Sequence, residues 1–151
     1  NSRDGNVRAF DGDRIMGVFA GERKNNNAVE AALNIRWAIS KILNPQFKPE
    51  YAINIGLGID TGEILITKVG KGRDVSNNDL VWVGKACNYA SHMCSFGKNA
   101  IYISPAVFKK MSDSNKICDG KDMWTPINKT LKNGKTILCY KTTCYWSVLK
   151  G

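Results

Sequence analysis

Two carboxylates, Asp11 and Asp13, stand on either side of Gly12 in the stretch RAFDGDRIMGVF. Carboxylate oxygens bind hard cations such as Mg²⁺, and residues two apart on a strand share a face, so this acidic tip reads as one side of a divalent-metal site. The same three residues also spell a turn, because Gly accepts positive φ and Asp bonds its own backbone. The other concentration of chemistry is basic. The net charge is +9, and residues 1–63 hold 8 Lys/Arg against 8 Asp/Glu while residues 64–151 hold 14 against 5. The whole excess therefore lies in the second part, where it attracts a polyanion, either a phosphate-rich small ligand or a nucleic acid. Other chemistries lack their residues. With a single histidine, His92, neither a histidine-rich metal centre nor a Ser/His/Asp hydrolase is supported. Five cysteines, odd in number and without a CxxC pair, suggest neither a disulfide framework nor a zinc site, and most read as reduced, buried fillers.

The elements that must position these groups follow from periodicity. Val7, Ala9 and Phe10 lead into the acidic tip and Ile15, Met16, Val18 and Phe19 lead out, which predicts a hairpin. In AVEAALNIRWAISKIL, the spacing of Ala28, Ala31, Ala32, Ile35, Ile39 and Ile42 predicts an amphipathic helix ending before Asn44-Pro45, with Asn25 to Asn27 as caps. YAINIGLGI alternates strictly and runs through Asp60-Thr61-Gly62 into EILITKV, predicting a second hairpin over residues 51–69. GKGRDVSNND is a polar loop. It leads into the strand LVWV and then a helix over GKACNYASHMCSFG with Ala86, Tyr89, Ala90 and Met93 facing inward. AIYIS is a strand, and Ser104 caps a short helix that opens on Pro105. A last hairpin turns around Lys132-Asn133-Gly134-Lys135. The order β-β-α-β-β-β-α-β-α-β-β implies an α+β sandwich, with helices on one face of a largely antiparallel sheet. At 151 residues and 43% hydrophobic content the chain is read as one domain, 1–151. No apolar run approaches 18 residues and NSRDGN lacks the features of a signal peptide, so the expected location is cytoplasmic, with no membrane partner.

Three segments in series resemble class III nucleotide cyclases: FDGDRIMGVF their metal-binding hairpin, GLGIDTGEILITKVG their GI-x-TG segment, and NDLVWVGKACNYASHMCSFGKNAIYIS their strand, glycine, N-x-A-S-R-M helix and following strand. The resemblance runs over about residues 7–110 and more weakly to 141. It implies the ferredoxin-like class III cyclase sandwich, two Mn²⁺ or Mg²⁺ ions, a nucleoside triphosphate substrate, and a homodimer whose subunits share active sites. Asp13 matches the second metal aspartate of that family. The first has no match, which implies a catalytic domain lacking its N-terminal β-α segment. Asn88 matches the ribose-orienting asparagine. Four residues on, where the family has a phosphate-contacting arginine, stands His92, so Lys85, Lys132 and Lys135 become candidates for phosphate binding, with the family's terminal lysine matching either Lys132 or Lys135.

The two base-reading positions of purine cyclases fall on Ala9 and Val81, whose side chains offer no hydrogen bond to a purine edge. DLVWVG, within GRDVSNNDLVWVGKACNYAS, and FDGDR are similar to the bacterial pyrimidine cyclases of the Pycsar antiphage systems. That narrower resemblance implies conversion of UTP or CTP to its 3′,5′-cyclic monophosphate and pyrophosphate, as a signal to a separate cyclic-nucleotide-binding effector, with no nucleic-acid partner. The competing expectations are an adenylate or guanylate cyclase, and a catalytically inactive nucleotide- or RNA-binding module. An RNA platform would need Tyr51, Trp82 and Tyr102 exposed on neighbouring strands.

Overall fold

A computed structural model describes residues 4–69 and 79–148. The polar loop expected from Gly70 lies outside the described residues as far as position 78.

The strand-forming runs appear where alternation and β-branching place them: β1 (Gly5–Asp11), β2 (Arg14–Phe19), β3 (Gly56–Ile59), β4 (Leu65–Val69), β5 (Asp79–Val83), β6 (Ala100–Ile103), the two-residue strands β7 (Ile117–Cys118) and β8 (Lys121–Asp122), β9 (Thr125–Thr130) and β10 (Thr136–Thr142). The helices are α1 (Lys24–Trp37), which widens into a π-helical segment over Ala38–Leu43, α2 (Lys85–Cys94) and α3 (Pro105–Lys110). The main sheet has the order β3-β6-β10-β9, parallel at β3/β6 and antiparallel at the other two joints. Among the described residues β1/β2, β4/β5 and β7/β8 are separate antiparallel ladders.

β6 is the centre of the core, because all four of its residues are buried and they alternate between its two faces. Ile101 and Ile103 pack with Val29 and Leu33 of α1, Val107 of α3, Met111, Met123 and Trp124. Ala100 and Tyr102 pack with Met93 of α2 and Cys139 of β10. Helices thus cover both faces of the sheet, α1 and α3 one side and α2 the other, rather than the single face expected. The mixed α+β architecture itself stands.

Four local expectations are corrected. GLGI and ILITKV do not form a hairpin. β3 pairs in parallel with β6 (Gly56↔Ala100 to Ile59↔Ile103), and β4 pairs with β5 (Leu65↔Val83 to Val69↔Asp79). Tyr51 lies in a 3₁₀ turn, Pro49–Tyr51, and not on a strand. The buried face of α1 is rotated from the expected one: Ala28, Val29, Ala32 and Leu33 are buried together with the polar Asn25 and Arg36, while Ile35 and Ile42 are exposed. Arg36 can occupy that face because its guanidinium donates to the carbonyl of Asn99. Asn25 to Asn27 lie inside the first turn of α1 and not at its cap. Asn26 instead ties α1 to the 3₁₀ turn at Asp113–Asn115, its Oδ1 accepting from the Ser112 N–H at 2.7 Å. Ser104 caps α3 as expected, its Oγ accepting from the Val107 N–H at 3.3 Å.

Candidate active site

The cleft is built on α2, and glycines decide where α2 sits. A Cβ on Gly58 would fall 2.6 Å from the Cys94 nitrogen and 2.9 Å from the Met93 Cβ, and closer still to the Ala90 carbonyl oxygen. One on Gly56 would lie 2.8 Å from the Gly97 carbonyl oxygen. The backbone of α2 therefore rests directly on the backbone of β3, which no side-chain-bearing residue would permit. This seating turns Ala86 and Met93 into the core and leaves Asn88 and His92, one turn apart, exposed.

Opposite them stands the β9–β10 hairpin. Its turn is closed by Leu131 N–H to the Lys135 carbonyl at 2.8 Å and Gly134 N–H to the Leu131 carbonyl at 2.9 Å, with Gly134 at φ 80°. Between helix and hairpin lies a cleft of about 310 Å³ lined by Lys85, Asn88, Tyr89, His92, Leu131, Asn133 and Lys135. Among the described residues no acidic side chain lines it. Two lysines, a histidine and the first turn of a helix make it a place for a multiply charged anion.

The structure thus brings together four expected residues, Lys85, Asn88, His92 and Lys135. Lys132 does not line the cleft, although it belongs to the same turn. Ala9 and Val81 also lie elsewhere, Ala9 on β1 opposite Met16 and Val81 on β5 opposite Thr67. A bulge in β1 between Val7 and Ala9 leaves Arg8 unpaired in the ladder, and its guanidinium lies 5.7 Å from the centroid of the Trp82 ring. That contact brings the two strands together beside the cleft-bearing helix.

Asp13 stands at the exposed tip of β1–β2. Asp11 pairs with Arg14, so Gly12 and Asp13 form a two-residue loop, and Gly12 has φ 59° as the first loop position of a II′ turn favours. The two carboxylates accordingly do not share a strand face as alternation suggested, because the second lies in the loop. Both remain exposed, and among the described residues neither takes a hydrogen bond or ion pair. They are two hard oxygen donors free for a divalent cation, yet no described cluster of three or more His, Cys, Asp or Glu completes a ligand set.

The next residue links this tip to the cleft helix. Arg14 donates from Nη1 to Ser91 Oγ at 3.2 Å and from Nη2 to Ser95 Oγ at 3.3 Å. Sequence reasoning passed over Arg14 and read Tyr89 as a core residue. The available signal was adjacency, since Arg14 follows Asp13 and Tyr89 follows Asn88.

No family model matches the sequence. The chain is 38% identical over 149 residues to a uridylate cyclase of Xanthomonas perforans and 34% identical over 148 residues to one of Burkholderia cepacia. In each case 95% of this chain and 62% of the relative are covered, so the chain spans less than two thirds of the length of these curated relatives. Among solved structures it is similar to the guanylyl cyclase Cya2, with a TM-score of 0.77, 17% identity, and coverage of 97% of this chain and 74% of that one. The guanylate cyclase domain of RhGC from Catenaria anguillulae, in complex with GTP, gives a TM-score of 0.72 at 21% identity, covering 96% of this chain and 75% of that one. The chain has the class III nucleotide cyclase fold and is related in sequence, over nearly its whole length, to proteins named uridylate cyclases.

Proposed function

We propose that the chain is the larger part of a pyrimidine nucleotide cyclase that converts UTP or CTP to the 3′,5′-cyclic monophosphate and pyrophosphate. The observation that carries this reading is the cleft that joins Asn88 to Lys85, His92 and Lys135. The reaction forms a bond between the ribose 3′-oxygen and the α-phosphorus. It breaks the bond from that phosphorus to the oxygen bridging to the β-phosphate, and the hydroxyl proton passes to solvent water.

Asn88, with an amide that both donates and accepts, orients the ribose. Lys85, Lys135 and His92 hold the polyphosphate and stabilise the leaving pyrophosphate. A divalent cation, Mn²⁺ or Mg²⁺, supplies acidification of the 3′-hydroxyl and neutralisation of phosphate charge when bound. Asp13 is the residue here that would hold it, and its exposed, unpaired carboxylate fits the role. No residue of this chain matches the first metal aspartate of the family, so activity is expected of the full-length protein.

A homodimer with shared sites is supported by the apolar side chains left open on two hairpins: Val7, Phe10 and Ile15 on β1–β2, and Leu65, Ile66, Leu80 and Val83 on β4–β5. By its similarity to Pycsar cyclases, the product acts on a separate cyclic-nucleotide-binding effector in antiphage defence. No described helix is long and apolar enough to cross a membrane, and a cytoplasmic location is part of the proposed reading. An RNA-binding sheet is disfavoured, because Tyr102 is 2% exposed and Tyr51 is off the sheet.

The test is to incubate full-length protein and Mn²⁺ with each labelled triphosphate in turn. UTP or CTP should be cyclised at least roughly tenfold faster than ATP or GTP, a margin of about 1.4 kcal/mol. Asp13→Asn should abolish turnover, and Asn88→Ala should lower kcat more than it raises KM. Product from ATP or GTP alone would refute the pyrimidine assignment, and no product from any of the four would refute the cyclase reading.

A further inference from the structure

We propose that Tyr89 is the positioning residue for Lys135, holding its ammonium at the cleft through a neutral hydroxyl. This rests on Lys135 being a phosphate-binding cation of the proposed reaction. The turn fixes the backbone of Lys135 through the two bonds that close it and through the Asn133 Oδ1, which accepts from the Lys135 N–H at 3.0 Å. It does not fix the side chain, whose flexible stem loses substantial rotamer entropy whenever the ammonium is held in one place. Tyr89 does that, since Lys135 Nζ donates to the Tyr89 hydroxyl at 3.0 Å.

The ammonium lies 5.7 Å from the ring centroid, a separation that the ring, its hydroxyl and a hydrogen bond laid end to end account for. The contact is therefore with the oxygen and not with the π-face. The ring is itself steadied, because it packs against the cluster of Met93, Ala100, Tyr102 and Cys139. It also forms a wall of both the cleft and a neighbouring apolar cavity of about 330 Å³.

The choice of partner has a consequence for binding. Among the described residues no carboxylate pairs with Lys135, so its charge is not neutralised before the anion arrives. A carboxylate in place of Tyr89 would compete with phosphate for the lysine, whereas a phenol restrains the same ammonium and leaves its full charge to the ligand. The result is a preorganised cation at low electrostatic cost.

The test uses full-length protein and reads the KM for UTP and the inhibition constant of pyrophosphate, with Tyr89→Phe, Lys135→Ala and the double variant. Tyr89→Phe keeps the ring and removes the hydroxyl. It should raise both constants about threefold to tenfold, as loss of one hydrogen bond does, and leave kcat less affected. Lys135→Ala should raise them more, and Tyr89→Phe should add nothing in the Lys135→Ala background. If Lys135→Ala changes neither constant, the phosphate role of Lys135 fails and takes this inference with it. If Lys135→Ala weakens binding but Tyr89→Phe does not, or if the two losses add, the phosphate role stands and the positioning role of Tyr89 is overturned.

Discussion

Gly58→Ala tests the seating of the cleft helix directly. The substitution adds one methyl group, which would lie 2.6 Å from the Cys94 nitrogen and 2.9 Å from the Met93 Cβ and would also strike the Ala90 carbonyl oxygen. Two of these three atoms belong to backbone and cannot swing away, and β3 cannot retreat easily because it is laddered to β6 from Gly56↔Ala100 to Ile59↔Ile103. Relief requires α2 to back off by about 1 Å, the kind of adjustment for which overpacked sites lose about 1–3 kcal/mol. At about 2–4 °C per kcal/mol for a chain of this size, Tm should fall by roughly 2–12 °C. Activity should suffer more than stability. Asn88 and His92 ride on α2, and a displacement of about 1 Å in a catalytic group can cost about 10²-fold in rate. Gly17→Ala is the control, since its added methyl would meet only the Phe19 ring, at 3.7 Å. Thermal melts by circular dichroism and the nucleotide assay on full-length protein provide the two readings. A Gly58→Ala protein that melts and turns over like the wild type would refute a glycine-mediated seat for α2.

Two further outcomes are expected. Arg14→Ala removes the hydrogen bonds to Ser91 and Ser95 on an exposed surface. It should shift Tm by little while raising the half-saturating Mn²⁺ concentration by about threefold or more, and an unchanged metal titration would show that Arg14 does not steady Asp13. The second outcome concerns alkaline pH. Burial, aided by Cys144, pushes the Cys118 thiol from 9.0 to about 11, so the folded state holds this proton more tightly than the unfolded chain. The associated stability is intact below about pH 9 and drains away as pH rises toward 11. Melts across that window should fall less steeply for Cys118→Ala, and parallel slopes would contradict the assignment.

What could be read in the sequence was what neighbouring residues decide. Ser104-Pro105 fixes the start of α3, Asn133-Gly134 fixes a hairpin, and the run from Leu80 through Gly84 to Met93 fixes a strand and the helix after it. Asn88 and His92 were legible through the resemblance of NYASHM to the cyclase helix motif, whose positions the helix places one turn apart. The pairing of β3 was not legible, since its partner β6 lies some forty residues on and the intervening Asp60-Thr61-Gly62 looks like a hairpin turn. The glycines of GLGI reinforced that error: alternation counts them as small strand residues, while their use is to admit α2. Which of Lys132 and Lys135 faces the cleft needed the turn geometry, in which Lys135 closes against Leu131 and reaches Tyr89. The inward face of α1 was hidden for a different reason. Asn25 and Arg36 are buried there, and Arg36 finds its partner in a backbone carbonyl of Asn99 that no local pattern announces.

The way α2 is held also says which half of the site is rigid. Among the described residues the β1–β2 ladder shares no hydrogen-bonded strand with the main sheet, so the placement of Asp13 relative to Asn88 depends on side-chain contacts. On the phosphate side α2 is pressed backbone to backbone on β3, a contact that close packing makes stiff. On the side of Asp13 it is reached through two exposed hydrogen bonds from Arg14, which water can replace at small cost, while β1 touches β5 through Arg8 over the Trp82 ring. Phe10 and Ile15 of that hairpin are 75% and 68% exposed, too open to anchor it against its own domain. Those open apolar side chains would be covered by the proposed subunit partner, which would fix the hairpin further. Under the proposed function, metal binding at Asp13 would then be conditional on assembly, whereas the basic cleft is formed within the single chain. Turnover, under the same proposal, would therefore require the assembled subunits.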